Sequence, residues 1–308
     1  MTGRATAGAL LERRTELLRS RPRPDSPDGL ELAELTERLR DELWTSDPVI
    51  RRVGAGESLV AELGAREPVN PPADERDLAR RLDDDRRLMV LSRAEEPDRP
   101  VNVVWVALTR GVPSRLDQVV GADLPVLDPG TADTAVFYSI WNADPALDGL
   151  GRGTTLIERS IEQLGADLPG VHTFVTLSPV PGLRRWMEEQ RVGAGAEATA
   201  TPAHELELAA AQYLTSLRTD GRPLDPVARF HLGNGARLWR LNPGADPSPL
   251  GTERAWGLMA NYRYVPEDRA ANRAALADGH VAVGDGIPNP GGAGATDDPS
   301  RAPAGPGT

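Results

Sequence analysis

The chain contains no cysteine and no lysine. Without cysteine there is no disulfide framework, no thiolate nucleophile and no sulfur-based metal site. Without lysine, all 35 positive charges are arginines. Arginine keeps its charge when partly buried and can fork onto phosphate or carboxylate. Histidine is scarce: His172, His204, His231 and His280 are the only four. None falls in an H-x-x-H or H-E-x-x-H spacing, so no metal site is expected. Acidic residues outnumber basic ones 46 to 35, a net charge of -11. That excess speaks against a general nucleic-acid binder, which needs a basic face to release phosphate counterions. It leaves room for one local basic pocket. No apolar run is long enough to span a bilayer, and the opening "MTGRATAGALLERRTELLRSRPRPDSPDG" is too charged for a secretory signal. The closing "GPGT" carries no peroxisomal or ER-retention address. No membrane partner and a cytoplasmic location are the expectations.

A chain of 308 residues allows two modest domains or one large one. Residues 1–87 read as a polar helical region. In "ELAELTERLRDELW", Leu32, Leu35, Leu39 and Leu43 recur at helical spacing, and a weaker helix precedes them across the loop "RPRPDSPDG". Short helices bury little apolar area alone, so this region must lean on the rest of the chain or on a second subunit. The acidic run Asp83-Asp84-Asp85 reads as a solvated helix end.

The pattern changes near Leu88. "RLMVLS" and "VNVVWVALT" are β-branched runs joined by a turn, which predicts a hairpin. "TAVFYSI" (134–140) predicts a third strand and "VHTFVTL" (171–177) a fourth, with a helix between them. The first three strands are joined without helices and should be antiparallel. The third and fourth, joined by a helix, should be parallel. "ARLWRLN" and "WGLMANYRY" predict further strands, "AHELELAAAQYLTSLR" and "PEDRAANRAALADG" helices, and "VGAGAEATATP" a flexible linker. The expected fold is α/β with a mixed sheet and flanking helices. Its divisions are 1–87, a second unit 88–283, and a Gly/Pro-rich tail 284–308 expected to be disordered.

Between the third strand and its helix lies Asp148-Gly149-Leu150-Gly151-Arg152-Gly153-Thr154. A strand, a glycine loop and a helix make an anion site, because the first helical turn offers unpaired N–H groups at the positive end of the macrodipole. The loop is not a Walker A motif, since G-K-[ST] is missing. It is a poor Rossmann fingerprint, since it comes after the third strand and no acid is placed for a ribose. A tight strand-to-helix connection is the plain alternative. The spacing resembles the pyrophosphate loop of the GNAT acyltransferase fold, although Asp148 stands where that loop carries Gln or Arg.

Three further strings narrow the field: "FVTLSPVPGLRRWM" (174–187), "ARFHLGNGARLWRLN" (228–242) and "GLMANYRYV" (257–265). Together with "TADTAVFYSI" and "GTTLIERSIEQL", they resemble the malonyl-CoA decarboxylase family over roughly residues 65–275. The resemblance implies a helical N-terminal region before a GNAT-like catalytic domain. It implies decarboxylation of malonyl-CoA, with methylmalonyl-CoA as a further candidate, and no separate metal or organic cofactor, coenzyme A being part of the substrate. It places the catalytic Ser at Ser178 and the catalytic His at His231. The coenzyme A loop falls on Asp148 to Thr154, and Asn234 and Tyr262 are second-rank substrate residues. It also implies a homo-oligomer formed through the helical region and a role in fatty-acid metabolism.

The chain departs from the family where Gly151 replaces Glu, where Glu67-Pro68-Val69-Asn70 replaces Glu-Ala-Val-His, and in its shorter helical region. Two alternatives stay open: a GNAT-type acyltransferase and a non-catalytic acyl-CoA-binding protein. A Ser-His-Asp hydrolase is a poor reading, because there is no G-x-S-x-G elbow. His172, His204 and His280 read as surface or edge residues, and Trp186, Trp239 and Trp256 as core.

Overall fold

A computed structural model of the chain describes residues 7–42, 44, 46–150, 152–194 and 203–288. It opens with a helical hairpin, α1 (Ala7–Ser20) and α2 (Pro27–Glu42). Leu10 and Leu17 of α1 and Leu35 and Leu39 of α2 are buried with Val101, Leu147 and Leu150. The apolar stripe of the hairpin is therefore covered by the rest of the same chain. Leu43 lies outside the described residues.

Residues 1–87 are not helical throughout. A strand, β1 (Val49–Val53), pairs antiparallel with β2 (Arg86–Arg93), setting Val53 opposite Leu88. Its sequence carries Arg51 and Arg52, and charge on a short strand at a sheet edge is how edges avoid further pairing. Between these strands come α3 (Leu59–Arg66) and α4 (Glu75–Arg80). Val60 and Leu63 of α3 enter the core beneath Leu88, Val90 and Trp105.

The acidic run after α4 is not all solvated. Asp85 is 1% exposed. Arg80 forks onto its two oxygens at 2.7 and 2.8 Å, and the N–H of Leu127 donates to it at 3.0 Å. A buried carboxylate needs such paired donors.

Strand β3 (Glu96–Thr109) completes the predicted hairpin with β2, and β4 (Thr134–Asn142) pairs antiparallel with β3. Helix α5 (Gly153–Asp167) then crosses to β5 (Thr173–Thr176), which runs parallel to β4 from Thr134↔Thr173 to Phe137↔Thr176. The remaining elements are β6 (Ser178–Pro179), α6 (Leu183–Ala194), α7 (Ala203–Thr215), α8 (Pro226–Gly233), β7 (Arg237–Asn242), α9 (Pro249–Ala255), β8 (Met259–Tyr264) and α10 (Arg269–Ala277). The sheet order is β1-β2-β3-β4-β5-β8-β6, with β7 also paired to β8. This is the mixed sheet with flanking helices that the sequence predicts.

Leu156, Ile157, Ile161 and Leu164 give α5 one apolar face, packed on Phe137, Val104 and Val106 of the sheet. Each such fully buried side chain contributes about 1.5–3 kcal/mol. The opposite sheet face, with Val103, Trp105 and Val136, packs on α3.

The tail begins later than expected. The N–H of Gly284 donates to the carbonyl of Leu238 at 2.7 Å, and Ile287 packs against the main core. The rest of the tail, 289–308, lies outside the described residues, as does 195–202 of the expected linker. Among the described residues, no helix is long and apolar enough to cross a membrane, and no three His, Cys, Asp or Glu gather as a metal site.

Candidate active site

The site begins with a β-bulge. Trp105 pairs with Ser139 and Val106 with Phe137, so Tyr138 is an extra residue in β4. A bulge bends its strand. Beyond Phe137↔Thr176 the parallel pairing of β4 and β5 stops. The chain after β5 instead stays along β8, with which β5 is already paired, and sets Ser178 opposite Ala260. The two strands thus diverge, and a cavity of about 210 Å³ opens between them. Phe137, Ser139 and Ile140 line one wall and Ser178 and Pro179 the other, while Val69 and the residues Val227, Phe230 and His231 of α8 complete it.

Helix α8 is fixed at both ends. The Asp225 carboxylate accepts from the N–H groups of Val227 (2.9 Å) and Ala228 (2.8 Å), and Pro226 occupies the first turn. Gly235 ends the helix with φ +83°, and a Cβ there would lie 2.6 Å from the carbonyl oxygen of Arg269. Only glycine satisfies both conditions. His231 is thereby aimed at the cavity.

Ser178 Oγ and His231 Nε2 are 3.1 Å apart, and the two residues are 5% and 4% exposed. On the other side of the ring, Nδ1 lies 2.9 Å from the hydroxyl of Tyr264. Burial holds the Tyr264 phenol well above its usual pKa, so it stays protonated. Its O–H has Nδ1 as its hydrogen-bond partner and donates there. The ring proton therefore sits on Nε2 and points to Ser178, whose own O–H donates to Thr176 Oγ1 at 2.8 Å. Burial also pushes the His231 pKa down to about 3. The ring is held neutral, because taking a charge out of water without a paired anion is costly.

Tyr262 stacks on His231, with ring centroids 4.7 Å apart and planes at 26°. It packs the imidazole, whereas Tyr264 hydrogen-bonds it. Both lie on one face of β8, two residues apart, and that alternation was the signal in the sequence for Tyr264. Phe230, Thr176 and Tyr264, with wall residues such as Phe137, Ser139 and Ile140, are among the site residues that sequence reasoning did not single out. His172, His204 and His280 are exposed and away from this cluster. Trp186, Trp239 and Trp256 are only partly buried, with arginine over the rings of Trp239 and Trp256.

Behind the cavity, Glu67 is 4% exposed. Its Oε1 accepts from the N–H groups of Val69 (2.8 Å) and Asn70 (3.1 Å) and from the Ser139 hydroxyl (2.6 Å). Asn70 Nδ2 donates to the carbonyl of Tyr138, the bulged residue, at 2.8 Å. The segment that departs from the family pattern thus braces the bulge.

The glycine loop lies next to this cavity. Gly149 has φ +76°, a conformation that favours glycine. A Cβ on Gly153 would stand 2.5 Å from the ring of Phe230. Thr154 Oγ1 donates to Oδ1 of Asn234, the residue after α8. The first turn of α5 has no side-chain cap and no acidic residue, and the N–H of Arg152 just before it donates to Asn102 Oδ1 at 2.9 Å. The Asp148 carboxylate accepts from Asn142 Nδ2 at 2.8 Å. Arg152 stacks over Trp44 at 4.9 Å, and Leu150 is buried under the hairpin. Gly151 lies outside the described residues.

An antiparallel run followed by a parallel pair that splays around a pocket is the topology that the resemblance to the GNAT fold implies. Solved structures share this fold. A malonyl-CoA decarboxylase from Agrobacterium vitis is 34% identical, with a TM-score of 0.81 over 91% of this chain and 75% of that one. One from Rhodopseudomonas palustris is 32% identical, with a TM-score of 0.80 over 91% and 74%. The model of the malonyl-CoA decarboxylase C-terminal domain matches residues 58–205 and 194–290. The chain belongs to the malonyl-CoA decarboxylase family. It is 32% identical over 261 residues to the mitochondrial malonyl-CoA decarboxylase of Anser anser anser, covering 70% of this chain and 52% of that protein. The chain thus spans about half the length of the curated relatives it matches.

Proposed function

We propose that this protein decarboxylates malonyl-CoA to acetyl-CoA and carbon dioxide, with Ser178 and His231 at the reacting end and the loop from Asp148 to Thr154 at the phosphates. The observation that carries the reading is the Ser178–His231 hydrogen bond in the lining of a cavity between diverging strands. Family membership supplies the substrate class.

The chemistry follows from the cavity lining. Loss of carbon dioxide breaks a C–C bond and moves its electron pair into the thioester as an enolate. The residues lining the cavity include no arginine and no carboxylate. A carboxylate held there is poorly solvated, which favours its departure as a neutral molecule. At rest the Nε2–H of His231 is given to Ser178 Oγ and the Ser178 hydroxyl to Thr176 Oγ1; rotation of that hydroxyl turns it to the thioester oxygen while His231 holds Ser178 in place. One such donor at a developing oxyanion is commonly worth about 3–4 kcal/mol. Negative charge in the cavity raises the proton affinity of the imidazole, so Nδ1 takes up a proton from water in place of the Tyr264 O–H. The imidazolium passes its Nε2 proton through Ser178 to the α-carbon and returns to the neutral ring. The products balance: substrate anion plus one proton gives acetyl thioester and carbon dioxide.

The test is to mix purified protein with malonyl-CoA, and separately with methylmalonyl-CoA, and follow carbon dioxide and product thioester by mass spectrometry. Turnover that vanishes in His231→Asn supports the reading. Acyl transfer to an added amine, or binding without turnover, would replace it with the acyltransferase or the non-catalytic reading. Self-association is part of the same proposal and rests on the family resemblance; light scattering reads it directly.

A further inference from the structure

Loop carbonyls would repel a phosphate, and in this structure the segment before α5 has two of them held by the N-terminal hairpin and a third by Trp44 just beyond it. Arg14 of α1 is 3% exposed. Its Nη1 donates to the carbonyl of Ala146 and its Nη2 to that of Asp148. Its Nε donates to Thr36 Oγ1 of α2 at 3.2 Å, locking the guanidinium to both helices. Trp44, just past α2, donates its Nε1–H to the carbonyl of Leu150 at 3.1 Å and carries the Arg152 guanidinium over its ring. Carbonyls 146, 148 and 150 are thus all taken by donors from residues 14 and 44. The Arg14 guanidinium also lies under Gly149, with Nη2 4.0 Å from where a Cβ would be.

A carbonyl held by one arm of the Arg14 guanidinium cannot turn toward an anion without breaking a charge-assisted hydrogen bond. The amide dipoles of the loop are oriented before ligand arrives, and a buried positive charge sits beneath them.

We infer that Arg14 and Trp44 are positioning residues for the coenzyme A loop, so that the N-terminal hairpin is a working part of the nucleotide end of the site. The inference rests on the assignment of Asp148 to Thr154 to the coenzyme A phosphates.

The experiment uses the full chain in four forms: native, Arg14→Gln, Arg14→Lys and Trp44→Phe. Calorimetry with coenzyme A gives affinity without turnover. Values of kcat/KM for malonyl-CoA and malonyl-pantetheine, which lacks the phosphates, separate the two ends of the substrate. Arg14→Gln is expected to weaken coenzyme A binding about tenfold and to cut the malonyl-CoA to malonyl-pantetheine ratio by a similar factor. Arg14→Lys keeps the charge but not the fork and should fall between. Trp44→Phe keeps the apolar packing and should lose about threefold in the same ratio.

A merely structural role would lower both substrates alike. That result, or native-like coenzyme A binding in Arg14→Gln, overturns the inference. Native protein that fails to bind coenzyme A overturns the loop assignment and the inference with it. Native protein that binds coenzyme A but does not decarboxylate removes only the proposed reaction, and calorimetry still decides the role of Arg14.

Discussion

A methyl group on Gly153 would stand 2.5 Å from the ring of Phe230, the neighbour of His231 in α8. The first residue of the loop helix and the helix that carries the imidazole are therefore packed without room for a side chain. Gly153→Ala should cost about 1–3 kcal/mol of stability by overpacking. It should also lower kcat, because Phe230 cannot yield without moving His231. Combining it with Phe230→Leu should recover part of both losses, with a coupling of about 0.5–3 kcal/mol in urea unfolding.

The Ser178–His231 pair makes a sharper prediction. His231→Asn and Ser178→Ala should each reduce kcat by about 10²–10⁴-fold, the usual range for a positioned proton donor. Coenzyme A affinity, read by calorimetry, should stay close to native. Normal turnover in either variant would make that residue structural.

Tyr264→Phe removes the donor that fixes the imidazole tautomer. With Nδ1 unpartnered, the ring is free to carry its proton on the wrong nitrogen. About a tenfold loss in kcat with little change in KM is the expected result, loss of such an orienting partner commonly costing 10- to 100-fold at metal-bound histidines. An unchanged pH–rate profile would argue against this role.

Stability should depend on pH through His231. Its folded-state pKa is pushed down to about 3, against about 6.5 in an unfolded chain. Above pH ~6.5 the ring is neutral in both states and its contribution is fully present. As pH falls below that, the unfolded chain binds a proton that the folded one does not. Stability then drops by up to about 1.4 kcal/mol per pH unit toward the folded pKa. Urea midpoints at pH 7, 6 and 5 should therefore converge between the native protein and His231→Asn as pH falls; parallel lines would show that the ring is not held neutral.

Much of the sheet was legible in the sequence. The β-branched runs from Arg87 to Ile140 and the helix before Val171 gave the strand directions, because side-chain period and connection type are local properties. Strand β1 was not legible: Arg51 and Arg52 hide its pattern, and pairing with β2 stabilises it from outside. Asp85 was misread for a similar reason, since Arg80 folds back onto it and Leu127 approaches from 42 residues away. Ser178 and His231 stood out only through the strings that surround them. The Tyr262 and Tyr264 hydroxyls are alike in sequence, and only the packing of β8 against α8 separates a stacking ring from a hydrogen-bonding one.

The sequence by itself determined the chemical inventory: arginine as the only fixed cation, no thiol, a bare glycine turn ahead of an amphipathic helix, and two strings rich in proline and glycine. Those come from composition and short-range spacing. Only the tertiary structure decided that a hydroxyl and an imidazole 53 residues apart share a hydrogen bond, and that an arginine 134 residues away holds the loop carbonyls. The physical reason is that both contacts join segments far apart in the chain, which only the packing of helices on the sheet brings together.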